Sequence, residues 1–402
     1  MALLQIDGSI TDEKSRKKLH PAFLNAAFRP FFWLGALFGA LSIPAWALSF
    51  LGLVEFDFYG GAYAWHLHEM LFGFFTAIMV GFLLTAVQTW TKRKCIEGWL
   101  LAALVLIWLL GRITLAFQPA FFSDYTIVID LLFLPTCAVF LARSILQAKM
   151  WRNLFFVPIL LVMAMLNAIF HLSLSNDSII DITTISHAMV ILAALVMSIM
   201  GGRVFPMFTA NGTKTPRVNS IGWLEQLSIL SIVIVFITTL TQNFVPNTFI
   251  IAVLFVAGIS NLFRALRWRL WVTFQVPLVW SLHLSYLAMS LGFILLALEK
   301  INFIPSVSIG FHSITVGGMG LMILSMISRV SLGHTGRLIK ANVWVACSLL
   351  ALSLAAIDRV SGPLLGMDYS KVIVSSALLW CIGFLIFVVA YTKILFTENR
   401  WR

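Results

Sequence analysis

The chain has 402 residues, of which 60% are hydrophobic and 11% are charged, and its mean hydropathy is +0.98. These values exclude an ordinary soluble globular protein and indicate an integral membrane protein. The formal net charge of +11 does not indicate a nucleic-acid partner, because the basic residues lie in the links between apolar segments and not in one patch.

Twelve apolar segments are long enough to cross a bilayer, which takes about 20 residues of helix. The predicted spans are 29–53, 65–90, 97–117, 124–147, 153–175, 179–207, 219–241, 247–266, 275–298, 303–329, 340–358 and 370–396. Continuous apolar runs exclude a transmembrane β-barrel, whose strands alternate over about ten residues. We therefore expect an all-α integral membrane protein with about twelve transmembrane helices. The sequence predicts a single membrane domain over 1–402, with a polar cytoplasmic N-terminal segment over 1–28.

Basic residues concentrate before the first span, after the last one and in every second link. The basic stretches are 14–29, 92–94, 143–152, 214–217, 264–269, 337–340 and 400–402. The other links carry only Lys300, Arg359 and Lys371. By the positive-inside rule this alternation predicts that both termini are cytoplasmic. The first twenty residues are polar, so we expect no cleavable signal peptide.

Six of the eight histidines lie inside predicted spans, at His66, His68, His171, His187, His283 and His312. An ionisable side chain in hydrocarbon is costly and is by default a candidate for function. Neutral imidazole is also a common ligand of haem iron, copper and zinc. A single buried histidine is more often a packing residue, but six in one bundle favour a protein that carries a metal or haem.

The second predicted span opens with two histidines, His66 and His68. Residues two apart on a helix point about 200° apart, so they cannot easily bind one metal unless the first lies in a non-helical turn. His66 and Glu69 are three apart and share a helix face, where the carboxylate could orient the imidazole. The alternative is an interfacial belt in which Trp65 and the histidines meet lipid headgroups.

Arg112 and Asp130 are the clearest charged residues inside predicted spans, in the third and fourth segments. Their closeness in sequence predicts an intramembrane ion pair. The alternative is that Arg112 contacts an anionic haem propionate.

Three of the remaining histidines are predicted to lie at a similar depth in the membrane. At 1.5 Å per residue, His283 lies roughly 12 Å from the inner boundary and His312 roughly 14 Å from the outer one. We therefore expect them to flank one centre near mid-bilayer, with His187 at a similar depth. His283 shares a helix face with Tyr286, whereas His171 lies nearer the outer boundary, where we expect a structural role.

Two segments at the cytoplasmic side contain glycine and arginine. The stretch 201–209 is interpreted as a broken helix end that contacts a quinone or a headgroup. The stretch 329–337, which contains His334, is interpreted as a basic cytoplasmic loop. The loop could hold an anion or a headgroup, but it does not have the spacing of a phosphate-binding loop.

A four-helix period runs along the chain. Pro30, Pro158 and Pro277 begin the first, fifth and ninth spans, and the second, sixth and tenth spans carry histidines. This pattern predicts three four-helix repeats whose histidine-bearing helices meet at a central axis. Chance is the alternative, because proline is common in the first turn of a helix.

Taken together, these segments resemble the NnrS family, bacterial inner-membrane proteins associated with haem, copper and nitric oxide metabolism. The matching stretches are 28–32, 65–73, 81–86, 201–209, 277–286 and 312–337. The resemblance implies haem b and copper bound by histidines, and a role with nitric oxide in denitrification or nitrosative stress. It also implies nitric oxide as a ligand and allows a membrane electron donor such as quinol.

Carried over residue by residue, the resemblance implies metal or haem ligands at His66, His68, His283, His312 and His334. His187 rests on its position alone, and Arg112 and Tyr286 are expected beside the cofactor. A functional relationship to haem-copper oxidases is not favoured. Those enzymes have a pair of histidines on the seventh helix, whereas this chain has its close pair, His66 and His68, on the second. A transporter or an electron-transfer protein without nitric oxide chemistry stays as the alternative.

Overall fold

The fold is described from a computed structural model, which covers residues 20–175, 180–305 and 307–400. In these ranges it has 12 helices long and apolar enough to cross a membrane, and no strand. The helices are α1 (Phe28–Phe50), α2 (Gly61–Thr91), α3 (Gly98–Phe117), α4 (Ala120–Gln147), α5 (Trp151–Leu174), α6 (Ile182–Thr213), α7 (Gly222–Leu240), α8 (Asn247–Val272), α9 (Pro277–Lys300), α10 (Ser308–His334), α11 (Val343–Leu364) and α12 (Tyr369–Phe396). The predicted all-α membrane architecture is confirmed.

The first and last helices meet at one end of the bundle. Arg29 in the first turn of α1 is 1% exposed. Its guanidinium donates to the carbonyl oxygens of Leu395 and Thr397 at 2.5 and 2.7 Å and to the Asn399 side chain at 2.7 Å. We call this the terminal end of the bundle. The opposite end, where α1 finishes and α2 begins, is called the far end.

Three helices form the centre of the bundle. In its most apolar stretch α2 is 94% buried, and the corresponding value is 72% for both α6 and α10. The most peripheral helix, α7, is only 33% buried. The four-helix period of the sequence placed these same three helices together, and the packing agrees with that expectation.

Two of the central helices contain a π-helical segment. In α2 it spans Glu69–Phe75 and in α10 it spans Ser313–Gly320. Each segment begins directly after a histidine, His68 or His312. A π turn accommodates an extra residue, shifts which side chains face inward, and occurs frequently at functional sites. Neither π-helical segment was predicted from the sequence.

Three helices extend beyond their predicted ends. The stretch 201–209 is not a broken helix end, because α6 continues through it to Thr213. Gly202 is instead a packing glycine, since a Cβ there would collide with the Arg264 guanidinium. α10 includes His334, so that residue is not in a loop. α11 continues past its predicted end at 358, which brings Arg359 into the helix.

Candidate functional site

A cavity of about 210 Å³ lies near the far end, between the start of α2, α6, α10 and α12 and the end of α1 and α11. Three of the predicted ligands, His66, His187 and His312, line it together, one from each central helix. The remaining walls are largely apolar and include Trp46, Met70, Phe74, Phe311, Met319 and Trp380. An apolar cavity with a few convergent polar groups is the usual form of a cofactor site.

Aromatic stacking fixes two of the imidazoles. The His66 ring lies 4.1 Å from the Trp46 ring with an interplanar angle of 22°. The His187 ring lies 3.7 Å from the Phe311 ring with an angle of 8°. Such stacking restricts each ring to one plane, which prepares its nitrogens for a ligand in a defined direction.

His312 is oriented by the backbone. Its Nδ1 lies 2.5 Å from the carbonyl oxygen of Ser308. A carbonyl only accepts, so Nδ1 carries the proton and Nε2 of the neutral ring keeps its lone pair. Histidines that bind metals commonly donate their other N–H to a backbone carbonyl in this way.

A buried cation completes the cavity. Arg359 is 6% exposed, donates to the Tyr369 hydroxyl at 2.8 Å, and lies 4.9 Å over the Tyr369 ring. The salt bridges found among residues 20–175, 180–305 and 307–400 do not include it. From the sequence, Arg359 was placed in a link between helices, so it was not predicted as a residue of the cavity. It could have been placed inside the helix, because the helical pattern of the sequence continues to Gly362 and Pro363.

A separate ionic cluster joins α2, α3 and α4. Arg112 donates to Asp130, which confirms the predicted ion pair, and to both oxygens of Glu69 at 2.8 and 2.9 Å. Both terminal nitrogens of the guanidinium are therefore engaged by carboxylates. This geometry opposes the alternative in which Arg112 meets a haem propionate. Glu69 also does not orient His66 as expected, because it contacts Arg112 and His68.

His68 is bonded within this cluster and faces away from His66, as the 200° argument predicted. Its Nδ1 lies 2.9 Å from Glu69 Oε1, and its Nε2 lies 2.9 Å from Asn167 Oδ1 and 3.2 Å from Asp130 Oδ2. Because all three neighbours accept, the arrangement suits a doubly protonated ring. The charges of Arg112 and His68 then balance those of Glu69 and Asp130.

His171 belongs to the same cluster. Its Nε2 lies 3.2 Å from Asp130 Oδ2 and its Nδ1 lies 3.2 Å from the Tyr59 hydroxyl. One ligand atom each from His68, Asp130 and His171 lies within 4.8 Å of the others, which is spacing that a metal ion could bridge. The sequence predicted only a structural role for His171. A polar residue four positions earlier on the same helix face, Asn167, could have indicated that His171 faces a buried polar cluster.

His283 and Tyr286 lie elsewhere. His283 Nε2 is 2.8 Å from the Thr209 hydroxyl near the terminal end of α6, and its Nδ1 has no partner among the described residues. His312, by contrast, lines the cavity near the far end. The expectation that His283 and His312 flank one centre is therefore not met. The error came from the predicted start of α10: it begins at Ser308 rather than 303, which leaves His312 only about 6 Å into the helix.

Tyr286 anchors a second buried ionic network, which the sequence did not indicate. Its hydroxyl accepts from Arg264 at 2.8 Å and donates to Asn261 Oδ1 at 2.5 Å. Arg264 also pairs with Glu225 of α7 and donates to the Ser198 carbonyl at 2.9 Å. These bonds connect α6, α7, α8 and α9. Tyr286 is thus engaged in packing and does not line the histidine cavity.

His334 is exposed at the last residue of α10, with its ring 5.6 Å from the Phe28 ring at the terminal end. The structure does not bring it near His66, His187 or His312, because those line the cavity close to the opposite end of the bundle.

Nearly the whole chain is similar to one known protein family. A family model described as NnrS protein matches residues 22–399. A comparison with curated proteins finds no match. Because the family match covers nearly the whole chain and agrees with the motif resemblance, the chain belongs to the NnrS protein family.

Proposed function

We propose that this protein binds haem b and copper in the bacterial inner membrane, and that it binds or processes nitric oxide in denitrification or nitrosative-stress tolerance. The observation that carries the proposal is the far-end cavity, in which His66, His187 and His312 meet among apolar walls. Imidazoles in such a setting are costly to bury without a ligand.

The residues of the cavity suit haem. His312 offers an unprotonated Nε2, and His66 offers a ring fixed by Trp46. Arg359 is buried, and its side-chain hydrogen bond within the described part of the chain goes to the neutral hydroxyl of Tyr369, so its charge would be available to bind a haem carboxylate. Aromatic side chains would contact the macrocycle faces. Bound haem would supply an iron that takes nitric oxide as a ligand.

The ionic cluster suits copper. Two imidazoles and a carboxylate, from His68, His171 and Asp130, are a donor set typical of divalent copper. A bound divalent cation would take the place of the proton on His68 Nε2, and the cluster of Arg112, Glu69 and Asp130 with the ion would then carry a net charge of +1. Glu69 and Asn167 would then orient the ligands from behind.

The position of the histidine cavity among membrane helices also suits nitric oxide as a ligand. Nitric oxide is small, neutral and soluble in lipid, so a cavity among membrane helices is accessible to it from the bilayer. The apolar walls of the cavity would exclude charged species, and the stacked imidazoles would hold the haem that binds nitric oxide.

The test is a visible spectrum of detergent-purified protein, oxidised and reduced, with and without nitric oxide, together with metal analysis. We expect a haem Soret band that shifts on addition of nitric oxide. His66→Ala and His312→Ala should lose the band while inserting normally into the membrane. His20→Ala, outside the membrane helices, is the matched control and should keep it. Full haem content in both cavity variants would refute the haem assignment.

The alternative is a transporter, or an electron-transfer protein without nitric oxide chemistry. Two buried ionic networks, around Arg112 and Arg264, favour it, because intramembrane charges often mark transport pathways. Colour separates the two functions. A colourless purified protein that contains no haem would support transport, whereas a haem spectrum unaffected by nitric oxide would support electron transfer.

A further inference from the structure

A second cavity lies at the centre of the bundle, next to the histidine cavity. It is about 90 Å³ in volume and is bounded by α1, α2, α6 and α10. Six of its 15 lining residues are methionines: Met79, Met197, Met200, Met319, Met322 and Met326. We call it the methionine cavity. Met319 also lines the histidine cavity, so the two cavities share a wall.

Methionine is much more frequent around this cavity than in the chain as a whole. The whole chain has 15 methionines in 402 residues, and six of them line this one small space. None of the residues that line it, all within the described part of the chain, is leucine. Leucine is the usual apolar filler of a helical bundle and has a similar volume to methionine. Volume and hydrophobicity therefore do not account for the choice, but the sulfur atom does.

Their spacing places the thioethers on matching helix faces. Met197 and Met200 on α6 are three residues apart. Met319, Met322 and Met326 on α10 follow each other at three and four residues. Such intervals put side chains on one face of a helix. Together with Met79 of α2, these methionines line one space from three helices, as ligands to a single ion would have to do.

Packing alone is the simpler explanation, because methionine fills irregular gaps in cores. It fits poorly here, since these side chains border a cavity that they leave open. Met163 and Met189, which are 0% exposed, show methionine in ordinary packing elsewhere in the bundle. They line none of the cavities described above.

The lining chemistry selects one class of ligand. The other lining residues are phenylalanine, isoleucine and valine, so no charged side chain, imidazole, hydroxyl or amide borders the methionine cavity. Hard cations require oxygen ligands and are excluded. Thioethers are soft, neutral donors that select Cu(I) among the common biological metals. A monovalent ion also carries the smallest charge into an apolar space.

We infer that the methionine cavity is a Cu(I)-binding site that uses thioether ligands from α2, α6 and α10. It is distinct from the nitrogen and oxygen ligands of the ionic cluster. Through Met319 it adjoins the histidine cavity, so a bound Cu(I) would lie next to the proposed haem site. The inference does not depend on haem being present.

The test titrates full-length protein, purified in detergent from copper-depleted cells, with Cu(I) held by bicinchoninate under anaerobic conditions. Loss of the coloured chelate reports transfer of Cu(I) to the protein. We expect wild type to compete for Cu(I). The triple variant Met197→Leu, Met322→Leu and Met326→Leu should bind at least about tenfold more weakly, since even outer-shell changes cost metal sites about 10-fold to 100-fold in affinity.

The control is the double variant Met163→Leu and Met189→Leu, which removes two buried thioethers away from the cavity. It should bind Cu(I) as wild type does. Haem content measured on the same samples separates this inference from the proposed function, because the triple variant should retain its haem. Equal Cu(I) affinity in wild type and triple variant, or equal weakening in the control, would overturn the inference.

X-ray absorption at the copper edge of the loaded wild-type protein gives a second readout that needs no variant. Sulfur neighbours around Cu(I) are expected. A first shell of nitrogen and oxygen alone would place the copper at histidines and reject the methionine site.

Discussion

His312 Nδ1 lies 2.5 Å from the carbonyl oxygen of Ser308, one turn earlier in α10. The bond fixes both the tautomer and the direction of the ring at the wall of the histidine cavity. The π-helical segment Ser313–Gly320 begins with the next residue. The register shift therefore comes directly after the ring that the backbone has oriented. A π-helical segment likewise begins directly after His68 in α2, where side chains orient the ring instead.

The first prediction concerns this ring. His312→Ala should reduce the haem Soret absorbance per protein by most of its value, because Nε2 of His312 is the best prepared nitrogen in the cavity. Thermal unfolding of the variant should change little, since the bond to Ser308 lies at the end of a long helix. His187→Ala is the comparison within the same cavity. A larger loss of haem in that variant than in His312→Ala would contradict the assignment.

The second prediction concerns the ionic cluster. Arg112→Ala leaves Glu69 and Asp130 without their buried cation, and breaking such a pair costs about 3–5 kcal/mol. The melting temperature in detergent should fall clearly. Lys94→Ala disrupts an exposed contact with Glu97, where the lysine side chain is 65% exposed, and should cost less than about 1 kcal/mol.

Neutralising the whole cluster provides the complementary test. Arg112→Met combined with Glu69→Gln and Asp130→Asn removes three charges together, and His68, left without a carboxylate neighbour, would then be buried as the neutral ring. It should be more stable than Arg112→Ala alone, because no uncompensated charge stays buried. If the single variant melts like wild type, the cluster contributes nothing to the fold.

The third prediction uses two helical glycines, Gly202 inside α6 and Gly222 at the start of α7. Gly202→Ala inserts a methyl group against the Arg264 guanidinium, which must then move from Glu225. Overpacking typically costs about 1–3 kcal/mol, and loss of a buried pair adds to it. Gly222→Ala is the control, since nothing lies within 4 Å of its added Cβ. Melting temperatures of the two variants should differ clearly, and equal values would contradict the packing role of Gly202.

The fourth prediction concerns the N-cap of α6, outside the membrane helices. Burial raises the pKa of Asp181, but hydrogen bonds from the hydroxyl and backbone N–H of Thr184 outweigh it, so the pKa lies below its ordinary value. A lowered pKa in the folded state means that stabilisation is present at neutral pH and is lost as pH falls through that value.

Asp181→Ala should therefore destabilise the protein by about 1 kcal/mol at neutral pH, as loss of an N-cap does. The difference from wild type should shrink only below about pH 4, where an aspartate with its ordinary pKa is already protonated. Asp181→Asn preserves an oxygen acceptor and should lose less stability. A difference that disappears between pH 6 and pH 7 would point to another group.

The fifth prediction concerns orientation. The basic links all lie at the terminal end of the bundle if helices alternate in direction, so both termini should be cytoplasmic. Reporter fusions in the α1–α2 link or the α7–α8 link should give periplasmic activity. Fusions after α2 or at the C-terminus should give cytoplasmic activity. Cytoplasmic activity from either of the first two links would reverse the assigned topology.

Much of the molecule followed from the sequence. Hydropathy over windows of helical length identified all twelve spans, because a helix needs about 20 predominantly apolar residues to cross the bilayer. The intramembrane pair of Arg112 and Asp130 was also predictable, since a buried charge needs a partner and consecutive helices provide one.

Tertiary structure alone decided which histidines meet. Hydropathy places a residue along a helix to within several residues, and a shift of five residues at the start of α10 changes depth by about 7.5 Å. The π-helical segments rotate side chains without any compositional signal. Partners far apart in the chain, such as His68 with Asn167 or Arg264 with Tyr286, depend on how helix faces pack. Composition and hydropathy were enough to predict histidines buried in a membrane bundle. Which of them share a cavity depends on packing, because contact requires the right helix rotation and the right depth together.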